Sequence, residues 1–393
     1  MTRFRSGISD QELSRRWSLV RQWMREADID VLVMQGAQDW LGGMVRWFTD
    51  FPATAGYPRT VLFFAEGPMT LVEMGPFNGN RVPPIDEPTY RGVGRVLTMP
   101  SFSSAHFTHG YDRDRVLDEL TQRGLKRVGV VNPGALPHVL MQSLLERFGS
   151  LVDTTDVIDT FKAVKSEEEL GRLREVAHLQ DDIFAQVLDF IRPGLKDIDV
   201  ANFAQAEAHR RGSDQGILLG VSAQLGSSAR FGGRAVQGRE LHAGDHLTLL
   251  IEVNGACGMY TEIARTIVLG TASDKLLQAF DNVRRAQDHT LSLIRAGALP
   301  ADIAQAHDAW MQAEGLPVET RLYAHGQGQD LVERPLIRHD ETMPLAAGMC
   351  LAVHPSYDDG SVFAVICDNY IVEANGVSEC LHRTEKKIFE KYV

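Results

Sequence analysis

The chain has 393 residues, of which 44% are hydrophobic and 23% charged, a balance typical of a globular protein with more than one core. Lys and Arg number 40, and Asp and Glu number 52, so the formal net charge is -12. Because an acidic surface repels phosphate groups, we expect neither a nucleic acid nor an anionic membrane as a partner.

Cysteine usage and apolar segments indicate the compartment. The four cysteines form no Cys-x-x-Cys pair, and four in a chain of this length are too few for a disulfide framework. The first residues contain no apolar stretch of the kind that directs secretion, and the longest apolar runs are too short to span a bilayer. We therefore expect a cytoplasmic protein.

Residues 1–160 alternate between predicted strands and helices. Apolar residues at helical spacing predict an amphipathic helix over 10–28, with Asp10 as its cap. Short buried strands are predicted at Val31–Met34, Thr60–Ala65, Thr70–Met74 and Arg127–Val131, and further helices at 112–123 and 136–148. The alternation predicts an α/β domain over residues 1–160.

Residues 161–393 have a different organisation. Ser166 followed by Glu169 is a capping-box pattern, which predicts a long helix that opens a second domain, and a second helix is predicted over 198–211. The remaining strands are predicted at Ile217–Val221, His246–Val253, Tyr260–Leu269, 320–325, 349–354, 362–366 and 369–373, with helices at 273–296 and 301–314. The pattern predicts an α+β domain with helices outside a mostly antiparallel, curved sheet.

Two acidic residues are predicted to face each other on this sheet. Glu252 and Glu262 lie on strands joined by the turn at 254–258, and a hairpin brings such positions side by side on one face. If two carboxyl groups lie close together, the pKa of one rises, which suits general acid–base catalysis.

Three further reactive residues end neighbouring strands. His325 precedes Gly326 and Gly328, and glycines at these positions leave room for a substrate to approach the backbone. His354 ends the apolar run that begins at 349, and Cys367 ends the run that begins at 362. Imidazole and thiol groups at the ends of adjacent strands are candidates for proton transfer, metal binding or nucleophilic attack.

Seven segments in a consistent order resemble the M24 metallopeptidases. The segments are KSEEEL, ELHAGD, YTEIART, AHGQG, PLAAGM, AVHPSY and CDNYIVEANG. That family includes methionine aminopeptidase, Xaa-Pro aminopeptidase, prolidase and the metal-free enzyme creatinase. The resemblance implies a pita-bread catalytic domain over 161–393, a creatinase-type N-terminal domain over 1–160, and a hydrolase.

The resemblance also implies that the metal ligands of the family have been exchanged. The positions of its five ligands (Asp, Asp, His, Glu and Glu) are occupied here by Ile251 or Glu252, then Glu262, His325, His354 and Cys367. Two metal ions a few ångströms apart need bridging carboxylates to offset their repulsion, so the loss of two carboxylates argues against a dinuclear centre. We therefore expect no metal or a single divalent ion on Glu262, His325, His354 and Cys367.

Two accessory histidines of the family are absent as well, since their positions fall at Val332 and near Gly233. Three arginines lie close to the second of these positions in the sequence, Arg230, Arg234 and Arg239. Because a guanidinium group binds carboxylates with two parallel hydrogen bonds, we predict that these arginines hold a substrate carboxylate.

Further substrate contacts are predicted at Tyr260, beside the two acidic residues, and at Arg59. The latter matches a place where creatinase-type N-terminal domains reach into the site of a partner subunit, which implies a homodimer. Trp40 and Trp47 are candidates for the same mouth, although aromatic residues there are also typical of a core.

Four functional hypotheses follow. The preferred one is a homodimeric hydrolase that cleaves a C–N bond in a small amide, amidine or imide without a dinuclear metal centre. Glu252 and Glu262 would activate water, His325 and His354 would transfer protons, and Cys367 would be a nucleophile or a supporting residue. The alternatives are a mononuclear metal-dependent Xaa-Pro-type peptidase, a non-catalytic binding protein on the same scaffold, and a lyase.

Overall fold

The computed structural model describes residues 7–36, 43–51, 57–85 and 87–392. These residues form two compact units, one comprising Gly7–Lys162 and the other beginning at Ala163. Within the described ranges, no helix is both long enough and apolar enough to cross a membrane. Trp40 lies outside the described residues.

The first unit is an α/β structure built on a seven-stranded sheet with the strand order β4-β5-β3-β2-β1-β6-β7. Its strands are β1 Val31–Gly36, β2 Arg59–Phe64, β3 Met69–Met74, β4 Gly79–Arg81, β5 Val93–Met99, β6 Val128–Val130 and β7 Val152–Asp153. Its helices are α1 Asp10–Glu26, α2 Met44–Thr49, α3 His109–Gln122, α4 His138–Phe148 and α5 Thr155–Ala163. The four predicted strands and three predicted helices are all present.

Alternation along the strands explains why helices cover both faces of this sheet. Val33 belongs to the core that includes Leu120 of α3, whereas the next residue, Met34, belongs to the core that includes Met24 of α1. Successive side chains of a strand point to opposite faces, so a run of apolar residues buries both. Trp47 is also fully buried in the α1 core, which identifies it as a packing residue.

Two local predictions in this unit are corrected. Helix α1 is capped by Ser9 and not by Asp10, since the Ser9 hydroxyl accepts a hydrogen bond from the backbone N–H of Glu12. Strand β5 was not expected, because Gly94 and Arg95 interrupt its apolar pattern; Arg95 is accommodated through an ion pair with the buried Glu119.

The second unit is α+β and carries three sheets. Their orders are β19-β11-β10-β8 with β9 paired to β10, β13-β12-β14-β17-β18, and β15-β16. The strands are β8 Gly216–Leu219, β9 Ser222–Gln224, β10 Asp245–Asn254, β11 Tyr260–Val268, β12 Ala324–Gly326, β13 Glu333–Leu336, β14 Cys350–Val353, β15 Ser356–Asp358, β16 Phe363–Val365, β17 Asp368–Glu373, β18 Gly376–Val377 and β19 Phe389–Glu390. The helices are α6 Glu167–Phe190, α7 Asp197–Arg210, α8 Asp274–Leu293 and α9 Pro300–Ala313.

Helix α6 begins with the predicted capping box, in which Ser166 and Glu169 each bond the backbone of the other. The strand predicted over 320–325 is shorter than expected and begins only at Ala324. An isolated bridge between Ala264 and Cys367 joins the β10–β11 hairpin to the segment that leads into β17. The sheet of β10 and β11 and the sheet of β12, β14 and β17 therefore meet at this point.

Asp181 of α6 ties the segment before β19 to this framework. Its carboxylate accepts hydrogen bonds from the backbone N–H groups of Arg383 and Thr384 and from the Thr384 hydroxyl. Burial acts to raise the pKa of Asp181, but its interactions with His382, Arg383 and Thr384 outweigh burial and lower the pKa to about 2.

A pH-dependent contribution to stability follows from this lowered pKa. Above the unfolded pKa of about 4, Asp181→Asn should reduce the free energy of unfolding by about 2 kcal/mol. The difference should shrink as the pH falls through the folded pKa of about 2, where the native carboxylate also takes up a proton. Urea unfolding of both proteins at several pH values between about 2 and 6 checks this; a difference independent of pH would contradict it.

Candidate active site

The β10–β11 hairpin places two carboxyl groups directly opposite each other. Glu252 pairs with Glu262 across the two strands, while the neighbouring pair, Ile251 and Ile263, packs into the hydrophobic core on the other face. Both carboxyl groups are buried, each residue being 3% exposed. Of the two residues considered for the first ligand position, it is therefore Glu252 that stands beside Glu262.

Two histidines approach Glu262 from the adjacent sheet. His325 lies on β12, and His354 follows β14, held there by a hydrogen bond of 2.6 Å from its backbone N–H to the carbonyl oxygen of Tyr323. The Nε2 atoms of His325 and His354 lie 3.7 and 3.5 Å from Oε1 of Glu262. The two imidazole rings stand edge to face with centroids 5.2 Å apart.

Donor atoms of Glu262, His325 and His354 all lie within 4.8 Å of one another, and these residues fit a single metal ion. Across the described residues, Oε1 of Glu262 and both ring nitrogens of His354 have no hydrogen-bond partner, although they are buried. His325 has its Nδ1 within 2.9 Å of the carbonyl oxygen of Gly326, which orients Nε2 towards Glu262. Ligands of tetrahedral zinc at about 2 Å lie about 3.3 Å apart, close to the two distances measured here.

Cys367, the fourth predicted ligand, does not join this group of donors. Its Sγ atom lies 3.7 Å from the backbone oxygen of Glu262 and is fully buried. Burial and, next, the negative charge of Glu262 raise the pKa of the thiol well above its usual value. A protonated, buried thiol is a poor nucleophile, so the surroundings of Cys367 favour a packing role.

The electrostatics of the cluster differ sharply between its two carboxyl groups. Burial and the charge of Glu262 raise the pKa of Glu252 well above its usual value. Burial also acts to raise the pKa of Glu262, but the charges of His354 and His325 outweigh it and lower that pKa. Burial lowers the pKa of His354 to about 4, against the attraction of Glu262. A proton in this cluster is thus shared among coupled groups.

A chain of side-chain amides supports both carboxyl groups. Gln327 donates from Nε2 to Glu252, at 2.8 Å, and accepts at Oε1 from Nδ2 of Asn369, also at 2.8 Å. The Oδ1 atom of Asn369 in turn accepts from the backbone N–H of Glu262 and lies 3.3 Å from Nε2 of His382. Sequence reasoning missed Gln327 and Asn369; the signal was an amide between two glycines and another directly after Asp368.

The glycines beside His325 have a packing role that the sequence did not reveal. A Cβ atom on Gly326 would lie 2.5 Å from the carbonyl oxygen of Arg334, and one on Gly328 would lie 2.5 Å from the side chain of Lys165. These glycines therefore permit close packing inside the protein. Lys165 forms a buried ion pair with Glu333, which lies on the strand next to His325.

The arginines predicted to bind a substrate carboxylate all have partners within the protein. Arg230 pairs with Asp358, Nη1 of Arg234 donates to the side chain of Asn202 at 3.0 Å, and Arg239 makes two hydrogen bonds to Asp245. Both terminal nitrogens of the Arg239 guanidinium donate to the buried carboxylate of Asp245, so Arg239 has a structural role.

The other two predicted substrate contacts are also engaged. The buried Tyr260 donates from its hydroxyl to Gln215 at 3.1 Å. Arg59 pairs with Glu73 at 2.8 Å, and its guanidinium carbon lies 3.6 Å from the centre of the Phe51 ring. Both side chains are thus held in place inside their own units.

A different arginine is available next to the histidine cluster. Arg321 is exposed and precedes the segment of Tyr323 and His325; its guanidinium carbon lies 5.6 Å from the centre of the Phe231 ring. Phe231 meets Phe363 edge to face, at 5.4 Å between centroids. Among the described residues, Arg321 has no carboxylate within ion-pair distance.

Comparisons with known proteins identify the family of the chain. The model of metallopeptidase family M24 matches residues 171–374. A probable dipeptidase, PepE, of Mycobacterium tuberculosis is 28% identical over 255 residues, covering 63% of this chain and 67% of that protein. An uncharacterised peptidase of Bacillus subtilis, YqhT, is 26% identical over 277 residues, 69% of this chain and 77% of that protein.

Solved structures share the fold over nearly the whole chain. The X-Pro aminopeptidase of Thermotoga maritima superimposes with a TM-score of 0.78 at 16% identity, covering 95% of this chain and 99% of that one. The dipeptidase PepE of Mycobacterium ulcerans gives 0.73 at 21% identity, covering 99% and 100%. These structures have the two-part fold with a pita-bread catalytic unit that the sequence predicts. The chain is therefore a hydrolase that belongs to the M24 family of metallopeptidases.

Proposed function

We propose that this hydrolase cleaves a C–N bond in a small amide, amidine or imide, at a site built for one divalent metal ion rather than two. The observation that supports this most directly is the convergence of Glu262, His325 and His354, with a second carboxyl group, that of Glu252, facing Glu262. Relatives named as a probable dipeptidase and an Xaa-Pro dipeptidase fit C–N bond cleavage.

Glu262, His325 and His354 would hold the ion through one carboxylate oxygen and two imidazole nitrogens, a donor set that suits zinc. When bound, such an ion polarises the bond to be cleaved and lowers the pKa of a water molecule. A second ion would need further free carboxylates, whereas the carboxyl of Glu252 is engaged by Gln327 and Cys367 offers a buried thiol.

The chain's own proton chemistry would be carried by Glu252. Its carboxyl group faces Glu262, lies outside the group of three donors, and is oriented by Gln327. From that position the protonated carboxyl of Glu252 can give its proton to the departing nitrogen, and the carboxylate that remains can take up the proton released by the attacking water. Asn369 would act as a positioning residue, because it joins Gln327 to the backbone of Glu262.

A panel of C–N substrates tests this function. Purified protein supplied with Zn²⁺, Mn²⁺ or Co²⁺ is incubated with Xaa-Pro dipeptides, other dipeptides, N-acyl amino acids, amidines and cyclic imides, and amine release is measured. We expect turnover of at least one class and its loss in His325→Ala. Turnover that is equal in wild type and His325→Ala, or none with any class, would contradict the proposal.

The position of Arg321 leads to a prediction about specificity. Since its guanidinium lacks a carboxylate partner among the described residues and lies against Phe231, we expect it to bind a substrate carboxylate. Arg321→Met should raise KM by about tenfold or more for a substrate with a free carboxylate. The same substitution should hardly change KM for the amide of that substrate. The control variant Arg234→Met should hardly change KM for either form. Equal effects on acid and amide would refute the assignment.

A further inference from the structure

A cavity lies in the first unit, at the carboxyl ends of several strands of its sheet. Strands β1, β5 and β6 all run towards the cavity. It is lined by Gln35 near the end of β1, by Ser101 after β5 and by Ala135 after β6. Its volume is about 270 Å³. In α/β structures, ligands bind in crevices at the carboxyl ends of the strands.

The carboxyl group of Asp112 faces this cavity from helix α3. Asp112 is 7% exposed, and its Oδ1 atom has no hydrogen-bond partner in the part of the chain that the structure describes. Burial raises its pKa to about 6, although a hydrogen bond from Ser101 opposes the shift. A buried carboxyl oxygen without a partner is destabilising, and a ligand with an N–H donor would remove that cost.

The cationic groups around the cavity are already engaged. Arg113 forms an ion pair with Asp114 at 2.7 Å, and Nε2 of His109 lies 3.0 Å from the carbonyl oxygen of Ser103. The charge of His109 acts on Asp112 without outweighing burial, and Oδ1 of Asp112 has no partner among the described residues, so a positive group that contacts this oxygen would come from a ligand.

The remaining wall of the cavity is apolar. Leu136, Pro137 and Leu140 line it at the start of helix α4, and Pro58 lines it from the side of β2. A ligand that fills this space would carry a short hydrocarbon group next to its polar end.

We propose that the first unit carries a binding site for a small organic ammonium ion, with Asp112 as its anion partner and the surface around Leu140 as its apolar wall. The carboxylate and the ammonium group would form a charge-assisted hydrogen bond, the strongest kind available to this side chain. The site is separate from the residues assigned to hydrolysis, and the proposal does not depend on the reaction.

Calorimetric titration of the full chain at about pH 7.5 tests the proposal with three probes of similar shape. Isobutylammonium should bind at least about tenfold more tightly than isobutanol or isobutyrate, because only the first donates a charged N–H group. Asp112→Asn should weaken its binding by about the same factor. The matched control is Asp118→Asn, an exposed acid on the same helix, which should leave binding unchanged.

A second variant guards against loss of folding in Asp112→Asn. Ser103→Trp places a large ring at the exposed rim without altering Asp112, and it should block isobutylammonium while the unfolding midpoint stays near that of the wild type. Wild-type protein that binds none of the probes, that prefers isobutanol or isobutyrate, or that binds isobutylammonium equally well after Asp112→Asn would overturn the proposal.

Discussion

Replacing Glu262 with glutamine should abolish binding of a divalent metal and lower kcat/KM by about a thousandfold, roughly 4 kcal/mol in the transition state. Glu262 is the only carboxylate among the three converging donors, and its Oε1 lies 3.5–3.7 Å from both imidazole Nε2 atoms. An amide of the same shape cannot supply the charge that offsets a divalent ion. Metal content and steady-state kinetics are measured on the same preparation.

The matched variant is Glu252→Gln, which changes the facing carboxyl in the same way. Because Glu252 lies outside the donor group, this variant should retain the metal and lose about a hundredfold in kcat. In the absence of metal, neither variant should lower the unfolding midpoint, since replacing a buried carboxyl by an isosteric amide leaves the packing intact. Metal loss in Glu252→Gln, with retention in Glu262→Gln, would reverse the roles assigned to these residues.

Replacing Arg265 with methionine should reduce the free energy of unfolding by about 3–5 kcal/mol, more than any other substitution proposed for this chain. Its fully buried guanidinium pairs with the fully buried Asp368 at 2.7 Å. It also donates to the carbonyl oxygens of Cys367, Thr384 and Glu385, so it ties three segments of the second unit together. Arg265→Met leaves these acceptors and a buried carboxylate without their donor, and urea unfolding near pH 7 measures the loss.

Two further proteins separate the buried ion pair from a general effect of losing an arginine. Arg338→Met removes an exposed partner of Asp340, and it should cost less than about 1 kcal/mol. The double variant Arg265→Met, Asp368→Leu should recover part of the loss, because no uncompensated charge remains buried. A loss in Arg265→Met no larger than that in Arg338→Met would show that the buried pair is not a major support of the fold.

Hydrophobic periodicity and local capping predicted most of the fold. Apolar runs indicated the long strands β10 and β11, and the Ser166–Glu169 capping box located the start of α6. The periodicity did not reveal β5, because Gly94 and Arg95 break its apolar pattern. The charge of Arg95 is neutralised by the buried Glu119, and this ion pair exists only in the folded state. Short strands such as β9 and β15 are fixed by their neighbours, which a local pattern does not contain.

The candidate site could be predicted in part. The length of a hairpin turn fixes which residues of its two strands lie opposite each other. The turn length therefore predicted that Glu252 lies close to Glu262. The partners of Arg230 and Arg239 could not be predicted, since Asp358 and Asp245 meet them through tertiary contacts. The packing of Gly328 could not be predicted either, because its close neighbour, Lys165, lies far away in the sequence.

The number of metal ions per chain tests the central claim most directly. Wild-type protein and His325→Ala are stripped with a chelator, reloaded with Zn²⁺, Mn²⁺ or Co²⁺, freed of unbound metal, and analysed by elemental mass spectrometry. We expect close to one ion per chain in the wild type and less than about 0.1 in His325→Ala, since His325 is one of the three converging donor residues found among the described residues. Two ions per chain, no ion in the wild type, or a full complement in His325→Ala would contradict it.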